Sequence, residues 1–562
     1  MSSDPDPERS GIFSEIRHDM ARSLLVLRQK GPSQVQFWFI ALVVGCCAGL
    51  AALGFRIGIE WLQAVLYQVE DTEKLHRDVQ DLAWYWFIAI PTVGGLIVGL
   101  ILDRYTADGR VRAVADTIEG AALNGGRVET PEGLASAAAS FLTLAMGGSS
   151  GREGPVVHLA GVISTGFARL IKADGVTGRD LLGCAVAAAV SVSFNAPIAG
   201  ALFALEVVLR HFAVRAFAPI AIASVAGAII GRVFRGDVTE FTLVQKNELS
   251  FYIELPAFML LGLMCGVIAY VLMKSIFWAD TVGSQWQDRL RLPRYLRPAI
   301  AGAVLGVIAI GFPHIIGVGY GITYDALTAQ LGFQEALVFV VIKVAAVAIT
   351  IGGRMGGGVF SPSLVVGALS GLAFGIVATN LVPNYSGEVS LYALAGMGAV
   401  AAAVLGAPIS TAMIVFELTG DWQTGLAVLV TVSLSAALAS RLVDRSFFLT
   451  QLERRGVRLA AGPQAYLLAT FRVTSLMRRP DAPDAANPAE CENLIQQGIY
   501  VDISATLDRV MPMFEQQHLR FVPVVTRENK DAPFEVRGAL FHVDALKAFN
   551  RALAAVSAEK HA

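Results

Sequence analysis

Charge is what this chain of 562 residues has least of: Asp, Glu, Lys and Arg together make up 16% of it, against about 25% in soluble domains. The two signs nearly cancel, at a formal net charge of −2, and no basic tract interleaved with aromatics is present, so the chain does not read as a nucleic-acid binder. Cysteine is scarce too. Of five, Cys46, Cys47, Cys184 and Cys265 lie in apolar segments and Cys491 in a polar one, with no CxxC or histidine-rich spacing, so neither a disulfide framework nor a metal site is suggested. The first 35 residues carry Pro5, Pro7 and mixed charges rather than a short apolar core and a small-residue cleavage site, so the N-terminus is expected to stay attached and soluble.

What the chain has instead is apolar length. Its residues are 54% hydrophobic with a mean hydropathy of +0.57, the composition of a polytopic membrane protein. Phe37 to Leu66 and Trp84 to Leu102 are long enough to cross a bilayer, the second opening on tryptophans as an interface belt would. Between them lie Glu70, Asp71, Glu73, Asp78 and Asp81, while basic residues flank the pair: Arg22 to Lys30 before, and Arg104, Arg110 and Arg112 after. The positive-inside rule then puts the N-terminus and the 103–125 loop in the cytoplasm. Within residues 1–35, Ile12, Ile16, Met20, Leu24 and Leu27 recur at helical spacing, as in an amphipathic helix at the membrane surface or, more simply, a packed terminal helix.

Beyond Leu102 the hydropathy breaks up. Ala137 to Met146, Val156 to Ile171, Leu181 to Phe194 and Ile198 to Leu209 are shorter than the ~20 residues of a straight crossing, and Gly, Asn and Pro interrupt them. Such segments are expected to stop near the midplane and leave backbone ends facing a protected cavity. The chain is organised around Gly147-Gly148-Ser149-Ser150-Gly151-Arg152-Glu153-Gly154-Pro155, followed by an apolar run to Gly161. A proline suited to the first turn of a helix follows the glycines, so backbone N–H groups and a positive helix end are presented deep in an apolar protein. That is an anion site in outline.

The chain also repeats itself. Ala-Val-Ala-Ala-Ala-Val at 185–190, Asn195-Ala196-Pro197 and Glu206 return as the same run at 399–404, Gly406-Ala407-Pro408 and Glu417, each glutamate nine residues after its proline. Gly151 to Pro155 has a counterpart in Gly358-Val359-Phe360-Ser361-Pro362. Offsets of 207 to 214 positions define two membrane repeats, 36–236 and 237–456, which are expected to be inverted so that two helix N-termini meet at one point.

The GREGP run, its Gly-x-x-x-Pro counterpart and the two Ala-Pro helices resemble the CLC chloride channel and transporter family over about 36–456. The resemblance implies an all-α, inverted-repeat fold with broken helices in the cell (inner) membrane, a homodimer with one anion pathway per subunit, both termini cytoplasmic, and no cofactor beyond the transported anion. It makes Glu153 the gate, with Gly151, Arg152, Gly154, Gly358, Val359, Phe360 and Ser361 around the anion. The plainer reading of Glu153 is a carboxylate locked to Arg152. Departures from the family pattern fall on the inner side. Counting back from Glu119, the family's anion-binding serine is Ala113, with Arg112 beside it as a candidate anion-binding guanidinium or an ordinary loop arginine. The family's tyrosine hydroxyl is lost at Phe448, and its inner proton-relay glutamate at Val207. Phe448 and Val207 are thus expected to line the pathway, and their chemistry leans towards channel-like or loosely coupled flow rather than anion/proton exchange. Glu206 and Glu417 are read mainly as structural caps.

After Gly456 the chain turns polar. Residues 457–562 are expected to form a small α+β cytoplasmic domain, with a linker over Arg478 to Asn493 and a βαββα pattern resembling one CBS motif. A single motif leaves its usual partner missing, which Val473 to Met477 or a second subunit would supply. Asp544 is the candidate ribose contact, but without a basic phosphate cradle nucleotide binding is not expected. Two other classes compete with transport. A membrane enzyme would need a catalytic cluster, and His158 is the only histidine beside the motif, more simply a satisfied core residue. A membrane sensor run by the C-terminal domain would not need two broken helices aimed at one point.

Overall fold

A computed structural model of the chain describes residues 33–559, apart from 70, 73–74, 79–81, 213, 237–250, 384–385, 387, 420–421, 458, 460–467, 469–470, 483, 518 and 528–533. The amphipathic helix expected over Ile12 to Lys30 lies outside the described residues, as do Glu70, Glu73 and Asp81. The chain divides into two compact units, Met1–Val457 and Arg458–Ala562.

Among the described residues of the first unit the regular elements are helices, joined by loops. Its first half contains α1 (Gln34–Tyr67), α2 (Trp84–Tyr105), α3 (Val114–Leu123), α4 (Thr130–Ala145), α5 (Glu153–Leu170), α6 (Gly175–Phe194), α7 (Pro197–Phe203) and α8 (Val214–Arg235). Its second half contains α9 (Phe251–Arg289), α10 (Leu296–Gly311), α11 (Tyr320–Leu327), α12 (Phe333–Gly352), α13 (Phe360–Leu381), α14 (Val389–Leu405), α15 (Pro408–Thr419) and α16 (Trp422–Leu442), with α17 (Phe447–Arg454) closing the unit. Among the described residues, eight helical stretches are long and apolar enough to cross a membrane. The protein is a multi-pass membrane protein.

Local chemistry sets the helix ends. Ser33 and Gln36 form a capping box at the start of α1, and the Asp174 carboxylate accepts the Thr177 N–H at 2.9 Å to start α6. That cap lengthens α6 to 20 residues, beyond the half-length segment expected from Leu181. At its other end α6 stops on Asn195 at φ 53°, and α14 stops on Gly406 at φ 69°, each followed by Ala-Pro opening the next helix. The repeated sequence thus builds a repeated corner.

Two contacts bring the halves together reciprocally. Gly151 and Gly358 form an antiparallel bridge, each N–H donating to the other's carbonyl at 2.7 Å. Glu206 caps the start of α15 while Glu417 caps the start of α7. The fold is the inverted repeat expected from the sequence. Small residues let helices touch elsewhere: a Cβ on Gly99 of α2 would come within 2.0 Å of the Tyr295 carbonyl oxygen, where α10 begins.

The second unit holds α18 (Pro488–Gln496), β1 (Val501–Asp502), α19 (Leu507–Gln517), β2 (Phe521–Thr526), β3 (Glu535–Phe541) and α20 (His542–Glu559). β1 pairs in parallel with β2, and β2 antiparallel with β3, Phe521 opposite Phe541. The expected linker over Arg478 to Asn493 instead contains the start of α18, which buries Cys491. Val473, from the segment expected to complete the motif, is buried. It packs into the same core as Leu507, Phe514, Val522 and Leu540, and Arg478 bridges Ala539 on β3. The segment before α18 folds back onto the sheet, and α18 packs Cys491 into a second, smaller apolar cluster with Phe521 and Ala539.

Candidate functional site

The bridge between Gly151 and Gly358 fixes the starts of α5 and α13 against each other. A Cβ on Gly358 would lie 2.9 Å from the Gly154 amide nitrogen, so a side chain there would force the two helix starts apart. The bridge also consumes the Gly151 and Gly358 N–H groups, which therefore act as a weld rather than as ligand donors. The first-turn N–H groups of Gly154, Phe360 and Ser361 have no acceptor within their own helices. Both macrodipoles begin here.

Glu153, the first residue of α5, is 2% exposed. Its Oε1 accepts the Ser361 hydroxyl at 2.5 Å and the Tyr320 hydroxyl at 3.5 Å, while Oε2 has no hydrogen-bond partner among the described residues. Arg152 Nε stands 3.8 Å from Oε1, a looser contact than that of Ser361. The Arg152 guanidinium instead lies 4.8 Å above the Tyr320 ring and donates to the Ser193 carbonyl at 3.3 Å. A buried carboxylate with one oxygen bonded and the other bare is held, but incompletely.

Two cavities are lined by residues of this region. One is lined by Arg56, Glu60, Arg152, His314 and Tyr320. The other, about 1000 Å³ including its open mouth, is lined by Glu153, Gly154, Gly358, Val359 and Phe360, and further along by Ala113, Phe448 and four arginines, Arg110, Arg354, Arg454 and Arg455. Consecutive residues Arg152 and Glu153 thus line different cavities. Phe360 is buried against Phe194 and Phe203, with ring centroids 4.8 and 6.0 Å away.

Ala113 and Phe448 both line the arginine-walled cavity, so its wall carries a methyl and a phenyl group at those positions. Arg112 does not line it. Its guanidinium bonds Glu132 at 2.7 Å and Asp108 at 3.2 Å, stands 3.6 Å from Asp116, and borders a separate charged cavity with Glu119, Arg455 and His158. The cause is local: Ala113 is in an extended conformation, where successive side chains point to opposite sides. Burial works to lower the Arg112 pKa, but Asp116, Asp108 and Glu132 together raise it above the ordinary value. Val207 is also absent from the cavity wall; it is 5% exposed within the π-helical turn Ala204–Leu209, one turn past the lining residue Phe203.

The sequence reading missed Arg354, Arg454 and Arg455, whose signal was three arginines flanking the second glycine loop and the end of the last membrane helix. It also missed Lys343, a lone lysine within apolar α12 that is 1% exposed and donates to the Ile315 and Gly317 carbonyls at 3.4 Å each. His158 is buried as expected, with Nδ1 3.3 Å from the Thr117 hydroxyl. Among the described residues no cluster fit to hold a metal ion occurs. In the second unit Asp544 is engaged: Arg478 Nε donates to it at 2.6 Å, and the same guanidinium lies 4.1 Å above the Phe541 ring.

The model of the family described as voltage gated chloride channel matches residues 94–440. A putative chloride channel protein ClcB-like of Ralstonia nicotianae is 31% identical over 395 residues, covering 70% of this chain and 90% of that protein. An H(+)/Cl(-) exchange transporter ClcA of Vibrio campbellii is 28% identical over 458 residues, covering 80% of this chain and 95% of its own. Among solved structures, a slow cyanobacterial Cl-/H+ antiporter superposes with a TM-score of 0.66 at 23% identity, over 75% of this chain and 98% of that one. A eukaryotic CLC transporter does so with a TM-score of 0.64 at 17% identity, over 93% and 98%. These two likenesses concern the fold.

Proposed function

The chain belongs to the voltage gated chloride channel family, and from that premise we propose that it carries a small inorganic anion across the membrane along a pathway gated by Glu153. The observation that carries the reading is the Glu153 carboxylate, held by Ser361 where the Gly151–Gly358 bridge aims two helix starts at one point, with a cavity on either side. A carboxylate and a halide compete for the same donors, so the anion enters when Glu153 swings away or is protonated. Gly154, Val359, Phe360 and Ser361 line or support the vacated place, and the Gly151 and Gly358 weld keeps it in shape. The arginine-walled cavity is the inner one, because Arg110 belongs to the loop that the positive-inside rule puts in the cytoplasm.

Flow is channel-like or loosely coupled to protons in this reading. Val207 cannot relay a proton, and neither Phe448 nor Ala113 offers a hydroxyl to fix the anion from the inner side. The alternative is anion/proton exchange, favoured by the relative named as an exchange transporter and by the titratable gate itself. We read the chain as a transport protein and not an enzyme, working as a homodimer in the cell (inner) membrane, with both termini cytoplasmic and lipid against exposed side chains such as Phe39, Val307 and Val341. The C-terminal domain acts as a structural, CBS-like module without nucleotide, since Arg478 already occupies Asp544. Anion flux into proteoliposomes, with and without a proton gradient, tests this. No flux defeats the transport reading, and stoichiometric proton pumping defeats the loosely coupled one.

A further inference from the structure

Arg354 stands in the turn between α12 and α13 at φ 60°, a left-handed conformation that side-chain-bearing residues rarely adopt and that glycine adopts freely. Backbone geometry therefore does not call for an arginine here. Nor does pairing: Nη1 reaches the Asp108 carbonyl at 3.4 Å, and Nε is buried without a hydrogen-bond partner among the described residues. Non-glycine residues in this region tend to persist where the side chain has a task.

The surroundings indicate which task. Arg354 lines the same cavity as Glu153, Ala113 and Phe448, with Arg110 on the same wall. The carboxylate of that cavity besides Glu153, Asp280, is already taken by Arg110 and Arg297, each at 3.0 Å, so it does not neutralise Arg354 by direct contact. Arg354 and Arg294 both approach Gly109, each 3.9 Å from where a Cβ on that glycine would sit. The same wall carries Ile276, Ile351, Met355, Phe447 and Phe448, which offer an anion nothing in exchange for its water.

We propose that Arg354, with Arg110 beside it, holds the anion in the inner cavity and supplies the donors that Ala113 and Phe448 lack. The inference rests on the transport reading and adds a substrate preference to it. A guanidinium presents parallel N–H groups that match two oxygens of a planar oxyanion, so nitrate is held better than chloride.

The test compares wild type with Arg354→Gly and Arg354→Lys in proteoliposomes, measuring flux against chloride and nitrate concentration on the arginine side. Glycine suits φ 60°, so Arg354→Gly keeps the fold, which a melting curve verifies. In Arg354→Gly the half-saturating concentration should rise about tenfold and the nitrate preference disappear. Arg354→Lys should recover affinity without the nitrate preference. Unchanged half-saturation and anion ratio in Arg354→Gly would overturn the proposal. If wild type passes no anion, the transport reading fails instead, and calorimetric titration of both proteins with nitrate decides the matter for Arg354: equal heats sink it, and loss of binding in the glycine variant sustains it.

Discussion

Glu206 and Glu417 hold each other's repeat. Glu206 accepts the N–H groups of Ile409 and Ser410 at 3.0 and 2.7 Å, and Glu417 accepts those of Ile198 and Ala199 at 2.9 and 2.7 Å. Each carboxylate thus closes the positive end of a helix that belongs to the other half of the chain, satisfying donors that a helix start leaves open.

Truncating either cap should therefore cost stability before it costs transport. Glu206→Ala removes two charge-assisted hydrogen bonds at a partly exposed site, a loss of about 1–3 kcal/mol. Glu417→Ala should lose a similar amount, because its geometry is the mirror of the first. Denaturant titration in detergent measures both, and an unchanged midpoint in either variant would count against the capping role.

Glu153→Gln should release the gate. An amide has the shape of the carboxylate without its charge, so it competes weakly for donors that an anion wants. Flux at neutral pH should rise to the level wild type reaches in acid and lose its pH dependence. Ser361→Ala should also raise neutral-pH flux, more modestly, since it removes the 2.5 Å bond that holds the carboxylate in place. A Glu153→Gln protein whose flux still varies with pH as wild type does would move the gate elsewhere.

Much of this was legible in the sequence, for a local reason. The GREGP run, the Ala-Pro corners and the glutamates nine residues beyond them are short motifs whose geometry is set by their own residues, and their recurrence marks the two-fold relation. Counting back from Glu119 located Ala113 on the cavity wall for the same reason. What failed was the direction of its neighbour: along extended backbone Arg112 turns to Glu132 and Asp108, and spacing alone does not say which side of a strand-like segment faces a cavity. Val207 was lost similarly, through a π-helical turn that alters the facing of residues after Phe203. Arg354 left only the signal of an arginine beside the second glycine loop; its left-handed backbone angle and unfilled Nε donor are not displayed by a sequence.

Arg112→Gln separates the loop clamp from the pathway. The guanidinium binds carboxylates from α4 and from both sides of its own turn, so its loss leaves Asp108, Asp116 and Glu132 crowded together. Stability should fall by about 1–3 kcal/mol, the range for breaking charge-assisted bonds of partly buried groups. The half-saturating anion concentration should stay within about twofold of wild type, less than a single lost hydrogen bond would shift it. A large affinity change with unaltered stability would return Arg112 to the anion's path.

Phe448→Tyr and Ala113→Ser restore, one at a time, the hydroxyl groups this cavity lacks. Both side chains already line the wall, Phe448 at 4% exposure, so each substitution adds a donor facing the route without rebuilding it. A neutral hydroxyl donating to a desolvated anion is worth about 1–1.5 kcal/mol, which lowers half-saturation roughly five- to tenfold. Tighter binding also slows exit from the site, so maximal flux should fall as affinity rises. In the double variant the two gains should combine incompletely, because both hydroxyls address one ion and neighbouring sites couple. Flux against chloride concentration reads all of this. Were neither variant to gain affinity, the anion would be held elsewhere along the wall, at the arginines rather than beside Phe448.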